Sequence, residues 1–99
     1  MPLIYHITTP AAWATAQQSG EYTAPSLKDE GFIHCSQHSQ LEGVRERFYK
    51  NAGELILLEI DTTKLTEQYI FEWAPSIQDT FPHIYGPINL DAVVTVKPF

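Results

Sequence analysis

Gly31-Phe32-Ile33-His34-Cys35-Ser36, taken with His6-Ile7-Thr8 near the amino terminus, decides how this chain folds. Side chains alternate faces along a strand. Phe32, His34 and Ser36 therefore share one face, and Ile33 and Cys35 take the other. The same alternation sets His6 and Thr8 against Tyr5 and Ile7. Placing Tyr5, Ile7, Ile33 and Cys35 in the core directs two histidine-x-hydroxyl pairs outward into one cleft, which is the expected functional site.

Outward from these runs, residues 3–8 form a first strand. Thr9-Pro10 then opens a helix over residues 10–19, with a hydroxyl at the N-cap and proline at the first helical position. Gly20 ends it, and Trp13, Ala16 and Ala12 form its inner stripe. Residues 21–30, with Pro25, are expected to be a loop holding at most one helical turn at 26–30. After the second run, Ser39 and Glu42 have capping-box spacing, and Leu41, Val44, Phe48 and Tyr49 fall on one face of a helix over 40–50. Gly43 inside that helix points to close packing against the sheet.

Residues 54–61 are nearly continuously apolar, as in a central strand covered on both faces, and Asp61-Thr62-Thr63 caps a short turn. Residues 69–73 alternate, leaving Glu72 as a carboxylate on an apolar side, where it needs a partner or a cleft. Phe81-Pro82-His83-Ile84-Tyr85-Gly86-Pro87 is a short extended piece, and residues 92–97 are the last strand. Five or six strands and two main helices, both in the first half, predict an α+β fold with a mixed, mostly antiparallel sheet.

The 99 residues suit a single domain, 1–99. Twelve acidic residues against six Lys and Arg leave a net charge of −6, which argues against an extended nucleic-acid surface. Cys35 is the one cysteine, so no internal disulfide forms, and the first residues lack the pattern of a secretory signal. The longest apolar run, Leu55-Ile56-Leu57-Leu58, is far short of a membrane span. A soluble cytoplasmic protein, not a membrane protein, is expected.

His6, His34 and His83 each fall in a predicted strand among apolar or aromatic neighbours, a setting that suits a hydrogen-bonded structural histidine as well as a functional one. A metal site is not expected. His34 and His38 are four apart, a spacing that works on a helix, whereas here it spans a strand and a turn, and no second ligand motif accompanies them. Cys35, on the buried face, reads as an inert small hydrophobe. The paired His-x-Thr/Ser motifs are similar to those of two-histidine phosphoesterases, in which each histidine acts as acid or base and the hydroxyl holds a phosphate oxygen.

The runs Ile4-Tyr5-His6-Ile7-Thr8, Glu30-Gly31-Phe32-Ile33-His34-Cys35-Ser36, Leu57-Leu58-Glu59-Ile60-Asp61 and Phe81-Pro82-His83-Ile84-Tyr85-Gly86, with Trp13 and Gly20, together resemble the small bacterial proteins called domain of unknown function 952. That resemblance implies remote kinship with the ADP-ribosyltransferase superfamily, including the RNA 2′-phosphotransferases. It implies an ADP-ribosyltransferase-like fold and NAD as a cofactor. By position, His6 takes the ribose-holding role with Thr8 in support, His34 with Ser36 packs near the nicotinamide, and Glu72 is the later-strand glutamate, with His83 or Tyr85 as alternatives for that place.

The catalytic candidates are thus His6, His34, Glu72 and His83, and the cofactor-binding candidates are His6, Thr8, His34, Ser36 and Tyr85. Two features depart from the superfamily pattern: Ile7 stands where a glycine would let a dinucleotide approach, and the only arginines, Arg45 and Arg47, fall on a helix exterior. Three functions follow as expectations: an NAD- or ADP-ribose-directed transferase, a non-catalytic small-ligand-binding or interaction module, and a 2′,3′-cyclic phosphoesterase.

Overall fold

The computed structural model describes residues 2–99. Strand β1 (Leu3–Thr8) runs directly into helix α1 (Pro10–Ser19). Thr9 caps the helix, its hydroxyl accepting the Ala12 N–H at 3.1 Å. Gly20 closes it at φ +93°, donating its N–H to the Ala16 carbonyl at 2.8 Å. A left-handed residue at that place favours glycine because a Cβ would be strained there.

Residues 21–30 are more structured than a loop. Strand β2 (Glu21–Tyr22) buries Tyr22, and helix α2 (Pro25–Glu30) starts on a proline and stops at Gly31, φ +89°. A two-residue strand and a six-residue helix are too short to display a period, so their signals lay below what residue spacing can carry. Strand β3 (Ile33–His34) follows and is shorter than the six-residue run expected.

The next helix enters through a 3-10 turn, His38–Gln40, before α3 (Leu41–Phe48) begins. Its reciprocal cap uses Gln37 and Gln40, not Ser39 and Glu42. The Gln40 side-chain oxygen accepts the Gln37 N–H at 2.8 Å, and its amide donates to the Thr80 carbonyl at 2.8 Å, tying the helix start to the sheet. Gly43 packs near the Arg47 guanidinium, 3.3 Å from where its Cβ would stand, and not against the sheet. Leu41 and Val44 are buried as expected, but Phe48 is 61% exposed.

Strands β4 (Ile56–Asp61), β5 (Tyr69–Ala74), β6 (Asp79–Ile84), β7 (Ile88–Asn89) and β8 (Val93–Pro98) complete the fold. Between β4 and β5, Asp61 caps a 3-10 turn by accepting the Thr63 N–H at 2.9 Å. Among the described residues, eight strands form three small sheets, ordered β1-β4-β8, β2-β7 and β3-β6-β5, and every pairing is antiparallel. The expected single sheet of five or six strands is thus subdivided. An isolated bridge joins two of the sheets: the Tyr5 N–H donates to the Ser36 carbonyl at 2.8 Å and the Ser36 N–H to the Tyr5 carbonyl at 2.7 Å.

The core has two parts, and β1 and β4 lie between them. Ile4, Ile33, Cys35, Leu58, Ile60 and Ile84 belong to one, and Tyr5, Ile7, Leu41, Val44, Leu57 and Phe81 to the other. Tyr5 and Ile7 therefore do not share a core with Ile33 and Cys35. Because β1 is covered on both faces, His6 and Thr8, on the face opposite Tyr5 and Ile7 as expected, are buried and do not stand on an open sheet face.

Candidate functional site

A cleft of about 790 Å³ opens between the strand carrying His6 and Thr8, the start of α2, the end of α3 and the turn after β5. Its volume is that of an ordinary small-molecule site. Trp73, 61% exposed, and Phe48 lie at its apolar side, with Tyr49, Phe81 and Ile77. His6, Thr8, His34, Ser36 and His83 all border it, in different states, whereas Glu72 and Tyr85 are not among its lining residues.

His6 is 7% exposed and fully engaged. Its Nδ1 lies 2.6 Å from the His34 carbonyl and its Nε2 lies 2.8 Å from the Tyr22 hydroxyl, which in turn is 2.9 Å from Thr8 Oγ1. Burial pushes the His6 pKa down to about 4, against a smaller upward pull from the carbonyl. His6 is therefore neutral at pH 7. Ser36 is buried and tied by its main chain to Tyr5.

A second cluster lies across β3, β6 and β5, where His34 pairs with His83 and Ile70 with His83 in register. His83 donates from Nδ1 to Glu72 Oε1 at 2.8 Å, and the Tyr85 hydroxyl donates to the same oxygen. The Tyr85 bond, then the His83 bond, holds the Glu72 carboxyl below its usual range; the same contact pushes the Tyr85 phenol up. Phe32 stacks on the His83 ring at 4.1 Å and 15°. The His34 ring meets it edge-on at 5.2 Å.

Among the described residues, every side-chain nitrogen or oxygen sealed from solvent has a hydrogen-bond partner. His83 is buried, at 9% exposure; its ring has a protein partner at Nδ1, none meets its Nε2, and the residue lines the cleft. A carboxylate on Nδ1 and a free Nε2 is the arrangement that lets a histidine take a proton from a bound group. His34 stands differently: its side chain is 53% exposed and its Nε2 meets Glu30 Oε2 at 2.9 Å.

The symmetric pair of acid–base histidines expected from the two motifs does not form, because His6 has neither nitrogen free. The partners that decide this were invisible in the sequence. Tyr22 falls in a stretch whose sequence reads as a loop, and Glu30 precedes His34 by four residues across a helix end, where i,i+4 spacing carries no information. Phe32 was legible, since alternation placed it on the face of His34 and Ser36.

Among the described residues, no three His, Cys, Asp or Glu side chains are grouped to hold a metal ion. Burial raises the Cys35 thiol pKa, keeping it protonated. NAD fits the lining poorly at its pyrophosphate: among the described residues no lysine or arginine borders the cleft, and Arg45 is spent over the Phe99 ring, 3.9 Å from its centroid. No helix among the described residues is long and apolar enough to cross a membrane.

Comparison with solved structures finds CC0527 from Caulobacter crescentus. Its crystal structure is 29% identical, covers 98% of this chain and 85% of its own, and aligns with a TM-score of 0.85. The crystal structure of a CC0527 double-methionine variant gives 28% identity, the same coverage and a TM-score of 0.84. Its solution NMR structure gives 30%, 97% and 83% coverage, and 0.75. Comparison with curated proteins finds no match. The model of a family described as proteins of unknown function (DUF952) matches residues 7–96, and with nine-tenths of its length inside that match the chain belongs to this family.

Proposed function

We propose that the protein takes a small, flat, uncharged molecule into the cleft and that His83, oriented by Glu72, serves there as a general base. The observation that carries this is the His83 ring itself. It is fixed at Nδ1 by a carboxylate, held on one face by Phe32 and without a protein partner at Nε2. It lines a cleft that Tyr22, Phe48, Tyr49, Trp73 and Phe81 border and that, among the described residues, no Lys, Arg, Asp or Glu borders. Such walls favour a ligand with an apolar face, and a buried phosphate there would lack a cationic partner.

The test is protection and stabilisation. Diethylpyrocarbonate, which modifies unprotonated imidazole nitrogens, should react at His83 and spare His6, and adenosine at millimolar concentration should raise the thermal midpoint and slow the His83 reaction. Rapid modification of His6 with His83 spared would overturn the reading.

A second reading, ADP-ribose transfer from NAD, is favoured by one feature: a glutamate on a later strand, Glu72, ionised beside the cleft histidine. It requires NAD or ADP-ribose to stabilise the protein more than adenosine does. Equal or smaller shifts would leave the uncharged ligand as the better account.

A further inference from the structure

The buried chain Thr8, Tyr22, His6 has only one consistent arrangement of hydrogens while His6 is neutral. The His34 carbonyl can only accept, so the hydrogen of His6 sits on Nδ1. Nε2 then carries a lone pair, and the Tyr22 hydroxyl, 2.8 Å away, must donate to it. That uses the one phenolic hydrogen. The 2.9 Å contact between Tyr22 and Thr8 is a hydrogen bond only if Thr8 donates. Thr8 has then spent its hydrogen inside the protein and keeps only lone pairs.

From this order we infer that Thr8 is an acceptor-only subsite of the cleft, specifying a ligand that presents an N–H or O–H donor at that point. Thr8, Tyr22 and His6 all border the cleft. A free threonine hydroxyl rotates to suit either a donor or an acceptor; one whose hydrogen is committed rejects an acceptor by leaving two lone pairs facing each other. The selection therefore reaches the ligand through the Thr8 hydroxyl. His6 and Tyr22 act as positioning residues, and the carbonyl of His34 sets the polarity of the whole chain.

The inference rests on the small-ligand reading of the cleft, and two near-isosteric probes separate the two. Indole and benzofuran differ by one N–H replaced with an ether oxygen. Titrated into nitrogen-15-labelled protein, indole should shift the amides of Thr8 and Tyr22 and bind at least tenfold more tightly than benzofuran. In Tyr22→Phe the Thr8 hydrogen is released, and the preference should narrow to within about twofold. The His6 ring spectrum at pH 7 should show Nδ1 protonated and Nε2 bare, a readout that needs no ligand.

Equal binding of the two probes, an unchanged preference in Tyr22→Phe, or a proton on His6 Nε2 would overturn the subsite alone. Failure of both probes to move any cleft resonance at millimolar concentration overturns the small-ligand reading and the subsite with it.

Discussion

Acidification from pH 7 to pH 4 should destabilise this protein through His6. The unfolded chain protonates this imidazole near 6.5, whereas burial lowers the folded value to about 4. Between those values the unfolded state binds more protons, so stability falls as the pH drops through the window and is fully present above it. At about 1.4 kcal/mol per pH unit, the gap amounts to roughly 3 kcal/mol by pH 4, a large fraction of a small domain's stability. Asp61, Glu72 and Asp79 have lowered pKa values, so what they contribute is fully present above their ordinary values, 4.5 for Glu72 and 3.8 for the aspartates, and is lost as the pH falls from there through the lowered ones.

The assay is urea unfolding, followed by tryptophan fluorescence at half-unit steps from pH 4 to 7, for the wild type and His6→Asn. Asparagine keeps an N–H near the Nδ1 position but does not titrate. The variant should be less stable at pH 7, with a nearly flat profile across the window, while the wild type loses about 3 kcal/mol. Parallel profiles would refute the burial account, because the wild-type slope would then belong to other groups.

Three further outcomes follow from the packing. Leu58→Ala, at a fully buried position in the central strand, should lower the unfolding free energy by about 2–5 kcal/mol in urea titrations, from lost burial and the cavity left behind. Gly20→Ala should cost about 1 kcal/mol; nothing lies within 4 Å of the added Cβ, so the whole loss is backbone strain at φ +93°. Glu72→Gln should bring the Tyr85 phenol down toward its ordinary value of 10.0, seen as an earlier ultraviolet transition than in the wild type, because its acceptor loses its charge.

The site was half legible. That His6, Thr8, His34, Ser36 and His83 would border one cleft, and that Glu72 on its apolar strand face would need a partner, was legible in the sequence. Their roles were not. Glu72 needed a partner, and the register that sets Ile70 opposite His83 brings the two side chains together across β5 and β6. Tyr22 was missed because a two-residue strand has no period to read, and the Gln37 and Gln40 cap because its second tie is to Thr80, forty residues away.

The sequence by itself determined the β1–α1 unit to the residue, the turn at Asp61 and the centrality of β4. Those features rest on interactions within a few residues: a capping hydroxyl, a proline at the first helical position, a glycine able to take positive φ, an unbroken apolar run. Only the tertiary structure decided which face of β1 is inside. Alternation defines two faces but cannot say that both are covered. Tyr22 and the His34 carbonyl, supplied from β2 and β3, satisfy the polar groups of His6 and make it possible to bury that ring.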